Sequence, residues 1–299
     1  MVGPFTLPSF AKINWTLRVL GKRDDGFHEL CTVFQTVSLH DTIHFSESDS
    51  LEVSCDDPSM PTNDSNLIVK AATALLEASG INRGARINLE KRIPSPGGLG
   101  GGSSNAAVTL MGLARLWQLD AGIADLHDIA SWLGSDVPFF LYGGTALGTG
   151  RGEVIERMPD VEAENLLIVT PDVAVSTTEA FANITAPSLT NTASNHILRV
   201  CRLEAESLDP YQTTLENDFE ASVFNSYPEI KRVKDKLLEL GAVNAAMSGS
   251  GASVFAIFDK TETRQTAEKA LDLESTWRKF AVSTVSRAKY RELLHPQGV

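Results

Sequence analysis

From Phe10 to Leu20 apolar and polar residues alternate, with Ala11, Ile13, Trp15, Leu17 and Val19 on one side and Lys12, Asn14, Thr16 and Arg18 on the other. A period of two predicts a strand with one buried face, and it sets Lys12 and Asn14 side by side on the other face. Gly21 to Glu29, with its Asp25-Gly26 pair, reads as a loop. Strands are expected over roughly Cys31–Leu39, Thr42–Ser46, Leu51–Cys55 and Ala85–Lys91. Between them Leu67, Ile68, Ala71, Leu75 and Leu76 recur at helical spacing, and Gly80 stops that helix. Helices follow from Ala106 to Trp117 and near Asp125–Leu133, and two short strands flank Gly150-Arg151-Gly152-Glu153. An acidic turn at residues 160–164 precedes the apolar run Leu166–Val169, which places a domain boundary near residue 160. Beyond it come a helix over Thr177–Ile184, helices from about Asn195 to Leu240, then strand, turn, strand (Ser253–Phe258), helix and strand. Helices and strands mix without a regular βαβ alternation, so the class is α+β with two domains, 1–160 and 161–299.

One segment interrupts this pattern. Residues 94–105 hold five glycines, three serines and two prolines, directly after a strand and directly before a strongly apolar helix. Consecutive glycines let backbone N–H groups converge without Cβ clashes, and a following helix adds its positive end, which together suit a phosphate. Ser103 and Ser104 supply hydroxyls there, as donors or as magnesium ligands. The segment is not a Walker loop, because no lysine follows its glycines. It is a poor dinucleotide fingerprint, because Ser103 replaces the last glycine and the preceding strand alternates.

Composition narrows the partners. The 299 residues are 42% hydrophobic and 21% charged, ordinary values for a folded chain, and 26 basic against 38 acidic residues leave a net charge of −12. That balance disfavours nucleic acid as a partner, and any anionic ligand must be met by local cations and backbone N–H groups. No apolar run is long enough to span a membrane. Cys31, Cys55 and Cys201 form no CxxC pair and are expected as free thiols. The first residues lack the basic and apolar regions of a secretory signal, so a cytoplasmic location is expected. No HExxH or GxSxG pattern occurs, which disfavours a metallohydrolase or serine hydrolase. Oligomeric state is not readable.

The run from Pro94 through Gly98-Leu99-Gly100-Gly101-Gly102 to Ser103-Ser104 resembles the ATP loop of the GHMP small-molecule kinases. Ala11-Lys12-Ile13-Asn14 is similar to that family's first motif and Met247-Ser248-Gly249-Ser250-Gly251-Ala252 to its third. The three occur in family order across almost the whole chain. The resemblance implies a two-lobed α+β GHMP kinase fold with the active site in the cleft between lobes, ATP as phosphoryl donor and Mg2+ as its counter-ion. It carries nucleotide binding onto Pro94, Gly97, Gly98, Leu99, Gly100, Gly101, Gly102, Ser103 and Ser104.

Four further segments, Asp24 to Leu30, Gly134 to Phe140, Gly150 to Glu153 and Leu215 to Asp218, resemble members whose acceptor is a small polyol carried on cytidine diphosphate. The implied reaction moves the γ-phosphoryl of ATP to the 2-hydroxyl of a methylerythritol unit, in the non-mevalonate route to isoprenoid precursors. On that resemblance Asp136 is the base or orienter of the hydroxyl and Lys12 the cation beside it. Phe27 and Phe181 sandwich the cytosine, His28 reads its polar edge, and Asn14 and Thr177 make polar contacts. Two positions depart from the pattern. Phe27 stands where tyrosine is usual, and keeps a stacking face without the hydroxyl. Pro96 stands where the loop usually has a small residue, and lacks an N–H. The alternatives are a GHMP kinase for an acceptor without a base, such as homoserine or mevalonate, and a nucleotide-binding module without catalysis. The Gly26-Phe27-His28 segment argues against the first, and Lys12, Asp136 and the intact loop against the second.

Overall fold

The computed structural model describes residues 2–184 and 191–294. Its first half is built on two long antiparallel strands, β1 (Phe5–Lys22) and β2 (His28–Ser46), which pair along nearly their whole length. The two strands expected between Cys31 and Ser46 are one. Pairing jumps from Ala11 opposite Val37 to Phe10 opposite His40, a bulge that bends the strand without ending it. Next come β3 (Leu51–Cys55), α1 (Leu67–Ser79), β4 (Ala85–Glu90), α2 (Gly101–Leu116), α3 (Ile123–Leu133), α4 (Phe139–Tyr142), β5 (Thr145–Gly150) and β6 (Val154–Arg157). The sheet runs β3-β4-β2-β5-β6, with β1 on the other side of β2. Asn66 caps α1 by accepting from the Ile68 N–H, and Gly80, at φ 65°, ends it as its sequence position predicts.

The second half carries β7 (Leu166–Pro171), α5 (Thr177–Ala182), α6 (Asn191–Glu206), α7 (Glu220–Ser226), α8 (Pro228–Glu239), β8 (Asn244–Met247), β9 (Val254–Ile257), α9 (Thr261–Ala270), β10 (Trp277–Val282) and α10 (Arg287–Leu294). Its sheet, β10-β7-β9-β8, is antiparallel throughout. Three apolar cores separate four layers. One lies between the first sheet and α1–α4, one between the two sheets, and one between the second sheet and its helices. Trp15, fully buried, meets Phe255 edge-on across the middle core with ring centroids 5.5 Å apart. All three cysteines are free, and a hydrogen bond donated to Cys201, together with burial, pushes the Cys31 thiol up.

The terminal helix α10 is not legible in the sequence, because only Tyr290 and Leu294 of its residues are buried. Those two side chains return to the first core, where the Tyr290 hydroxyl donates to the Phe140 carbonyl. The alternation in β1 also misleads on one point. Lys12 and Asn14 are as buried as their apolar neighbours, because the glycine segment and the turn before β9 roof the polar face.

Helix α2 lies close on β2, and a Cβ placed on Gly112 falls 2.4 Å from Cζ of the buried Phe45 ring. Alanine gains about 1 kcal/mol over glycine in a free helix, whereas overpacking a core costs roughly 1–3 kcal/mol. The overlap here is severe, so the second effect wins. Gly112→Ala is expected to lower the melting temperature, and a thermal scan showing an increase would mean the helix is free to move outward.

Candidate active site

The glycine segment is shaped by what lies behind it. Gly98 adopts φ 71°, and a Cβ there falls 2.0 Å from the Ser248 carbonyl, so only glycine fits. The Ser248 hydroxyl donates to the Gly98 carbonyl at 3.0 Å, and the Ser253 N–H donates to the Gly97 carbonyl at 3.2 Å. The third motif is thus the bed of the loop. Gly100, at φ 69°, is the N-cap of α2, which begins at Gly101 and takes Gly101-Gly102-Ser103-Ser104 as its first turn, where sequence suggested a loop to Asn105. No side chain caps this helix and no acidic residue occupies its first turn. The N–H groups of Gly101, Gly102 and Ser103 therefore have no partner within the helix, a disposition suited to an anion. Ser103 faces the cleft. Ser104 does not: it is fully buried and its oxygen accepts from the Ser9 hydroxyl. The Leu99 side chain is buried in the middle core, leaving its backbone to line the cleft.

The Lys12 ammonium is 3% exposed and its Nζ donates to Asn14 Oδ1 at 2.7 Å. It lies 3.4 Å from Asp136 Oδ2 and 5.7 Å from the centre of the Phe34 ring. A buried ammonium requires such partners, since desolvation without them costs several kcal/mol or more. Asp136, one-third exposed, comes from the turn between α3 and α4, so it is held by one element and points at another. Asn14 does more than the substrate contact expected of it. Its Oδ1 also accepts from the Gly249 N–H at 3.0 Å and its Nδ2 donates to the Thr32 hydroxyl at 2.7 Å.

Aromatic rings gather at the other end of the cleft. Phe27 is 53% exposed, with the Arg151 guanidinium 4.9 Å from its ring centre. His28 stacks on Phe181 at 5.3 Å with planes 22° apart, and Phe181 meets Phe219 edge-on at 4.8 Å. His28 thus covers one face of Phe181, the ring expected to share the cytosine with Phe27. Burial, then the charge of Lys22, pulls the His28 pKa below the ordinary imidazole value. That shift favours the neutral ring, which carries one donor and one acceptor. Thr177 reaches the third motif, its hydroxyl 3.0 Å from that of Ser250.

A single cleft of about 820 Å³ joins the two ends, and every residue singled out from sequence lines it except Ser104. Sequence reasoning missed Thr32, Phe34 and Arg151 as lining residues. Thr32 and Phe34 sit inside an ordinary strand pattern and carry no local signal. It also missed Asn217, whose Nδ2 donates to the carbonyls of Met247 and Gly249 and so holds the third motif. Its segment, Leu215 to Asp218, was singled out without a role. A buried ion pair, Lys91 with Asp41 at 2.9 Å, was likewise missed. Asp41 accepts the N–H groups of Arg92 and Ile93, anchoring the chain as it leaves β4 for the loop.

Residues 66–144 match the family model described as the GHMP kinases N terminal domain, and residues 189–274 that described as GHMP kinases C terminal. A Chlorobium phaeobacteroides (strain BS1) protein named 4-diphosphocytidyl-2-C-methyl-D-erythritol kinase is 43% identical, over 88% of this chain and 92% of its own length. A protein of the same name from Thermodesulfovibrio yellowstonii is 39% identical, over 95% of this chain and 99% of its own. The crystal structure of a 4-(cytidine 5'-diphospho)-2C-methyl-D-erythritol kinase superimposes with a TM-score of 0.74 at 32% identity, covering 94% of this chain and 99% of that one. A homoserine kinase from Cytophaga hutchinsonii, at 20% identity and a TM-score of 0.72, shares the fold. An uncapped helix end on a glycine bed, a lysine–aspartate pair beside it, and both domains in order over this length place the chain in the GHMP kinase family.

Proposed function

We propose that the chain transfers the γ-phosphoryl of ATP to the 2-hydroxyl of 4-diphosphocytidyl-2-C-methyl-D-erythritol. The observation that carries this is the order of groups along one cleft: the open N-terminus of α2, the Lys12–Asp136 pair, then the aromatic end at Phe27, His28 and Phe181. A substrate with a base at one end and a hydroxyl at the other fits that order, and the relatives named for this substrate support it. Acceptors without a base have no use for the third part. The first 160 residues carry the nucleotide loop and the catalytic pair, and residues 161–299 carry Thr177 and Phe181, with Val285 and α10 packing back on the first core.

Phosphoryl transfer needs positioning and charge stabilisation more than covalent chemistry. The N–H groups of Gly101, Gly102 and Ser103 receive phosphate oxygens. Asp136 orients the acceptor hydroxyl and takes its proton, and the Lys12 ammonium stabilises the charge that develops between them. Among the described residues no group of three or more His, Cys, Asp or Glu side chains forms a metal site. Magnesium bound mainly by phosphate oxygens needs no such group, and the Ser103 hydroxyl at the loop is an oxygen ligand of the right kind. When bound, the ion neutralises phosphate charge. Phe27 offers the base a face, and neutral His28, backed by Phe181, offers its edge a donor or an acceptor.

The direct test is ADP release from ATP with and without the cytidyl acceptor, where release that does not depend on the acceptor refutes the assignment. Asp136→Asn keeps shape and loses the base, so kcat is expected to fall by about 100-fold or more with KM little changed. Near-normal turnover removes Asp136 from the chemistry.

Gly102 separates ligand contact from protein packing. A Cβ there meets only Leu67 Cδ1, at 3.5 Å, so the protein accommodates alanine. Gly102→Ala is expected to keep its melting temperature and to raise the KM for ATP about tenfold, the effect of losing ~1.4 kcal/mol of phosphate contact. An unchanged KM means the phosphates lie away from this turn.

Phe27→Leu removes a base platform worth roughly 1–3 kcal/mol, so affinity for the cytidyl acceptor is expected to fall about 5- to 150-fold while ATP affinity holds. The ring is half exposed, so melting temperature changes little. Phe27→Tyr should bind as well as the parent. Titration calorimetry with each ligand reads all three, and unaltered acceptor affinity in Phe27→Leu refutes the stacking role.

A further inference from the structure

A carboxamide has two unlike ends, one that accepts and one that donates, and which end faces a lysine decides whether the pair attracts or repels. The Asn14 amide is 1% exposed and sits against three neighbours. Two of them, the Lys12 ammonium and the Gly249 N–H, can only donate, and both meet Oδ1, at 2.7 and 3.0 Å. The third is the Thr32 hydroxyl, which in principle can do either. Its one proton is already committed, because Thr32 Oγ1 donates to the Thr16 carbonyl at 2.7 Å, and a carbonyl can only accept. Toward Asn14 the Thr32 oxygen can therefore only accept, and it receives Nδ2 at 2.7 Å. The Thr16 carbonyl sits where β1 slips register against β2 between Asn14 and Thr16.

We infer that Thr32 is a positioning residue for the phosphoryl transfer, fixing the Asn14 amide so that its oxygen faces Lys12 and Gly249. It touches neither reacting group. It acts through Asn14, which holds the ammonium 3.4 Å from Asp136 and ties it to the turn that beds the glycine loop. Without the hydroxyl the buried Nδ2 is left with no acceptor, and an amide that tilts to find one draws Oδ1 off the ammonium, so the long lysine side chain moves away from Asp136. The inference rests on the proposed reaction only for its kinetic readout.

Thr32→Val keeps volume and removes the hydroxyl. Its kcat is expected to fall about 10- to 100-fold, as for a displaced catalytic group, with the KM for ATP and acceptor within about twofold. Thr32→Ser, which retains the hydroxyl, is expected to work at close to the parent rate. In an Asn14→Asp background both ends of the side chain accept, so adding Thr32→Val there should cost less than about threefold. Should Thr32→Val not accumulate as folded protein, Thr32→Cys, whose thiol bonds poorly, carries the same expectation. A parent-like kcat in Thr32→Val, an equal loss in Thr32→Ser, or an undiminished loss in the Asn14→Asp background overturns the inference. A crystal structure of Thr32→Val decides it without an assay, since a Lys12–Asn14 Oδ1 contact still at 2.7 Å there refutes it. A parent enzyme inert toward the cytidyl acceptor refutes the proposed function and leaves this crystallographic arm standing.

Discussion

The ammonium of Lys12 has almost no access to water, and the site is organised around that fact. An unpaired charge in such a place is prohibitively costly, so partners must be brought to it from elsewhere in the chain. They come from three places. Asn14 is two residues along the same strand, Asp136 lies in the turn after α3, and Gly249, through Asn14, belongs to the turn between β8 and β9. The need to satisfy one buried cation thus joins the first sheet, the helical layer and the second sheet at a single point. That point is the middle of the cleft.

The glycine loop obeys a second constraint, imposed from behind and not from the ligand side. Gly98 is held against the Ser248 carbonyl with no room for a side chain, and Gly100 packs on Phe140 and the Lys12 stem. Lys12 also donates its backbone N–H to the Leu99 carbonyl at 2.9 Å. Asp41 fixes the entry to the loop through two backbone N–H groups and the Lys91 ammonium, with the carboxylate and the ammonium both buried. The glycine run is pinned at its entry, its middle and its exit. A pinned loop presents its N–H groups without having to order them on binding, which lowers the entropic cost of holding phosphate.

The two ends of the cleft are built differently. The glycine-loop end, where the proposed reaction places the phosphates, is backbone and packed. The aromatic end is side chains, with Phe27 half exposed under Arg151 and His28 resting on Phe181. Dispersion on a π face tolerates small displacements, whereas phosphate hydrogen bonds and in-line transfer do not. Stiffness is concentrated where geometry governs rate.

Much of this was legible in the residues alone. The strand alternation of β1, the apolar period of α1 from Leu67 and its stop at Gly80, and the glycine segment before an apolar helix all follow from local preferences of φ, capping and period, which act over a few residues. The motifs at Lys12, Gly98, Asp136 and Ser248 could be lifted from the sequence because each packs its chemistry into adjacent positions. What stayed hidden depends on contacts between segments far apart in the chain. Thr32 looks like any strand threonine until the Asn14 amide reaches it from the paired strand. Ser104 looks like Ser103 until the helix phase turns it toward Ser9. The polar face of β1 reads as solvated until the loop and the Ser248–Gly251 turn cover it. Sequence determined which groups exist and how each short stretch folds; tertiary structure alone decided which are buried together, because burial is set by what packs on a surface and not by the residues that compose it.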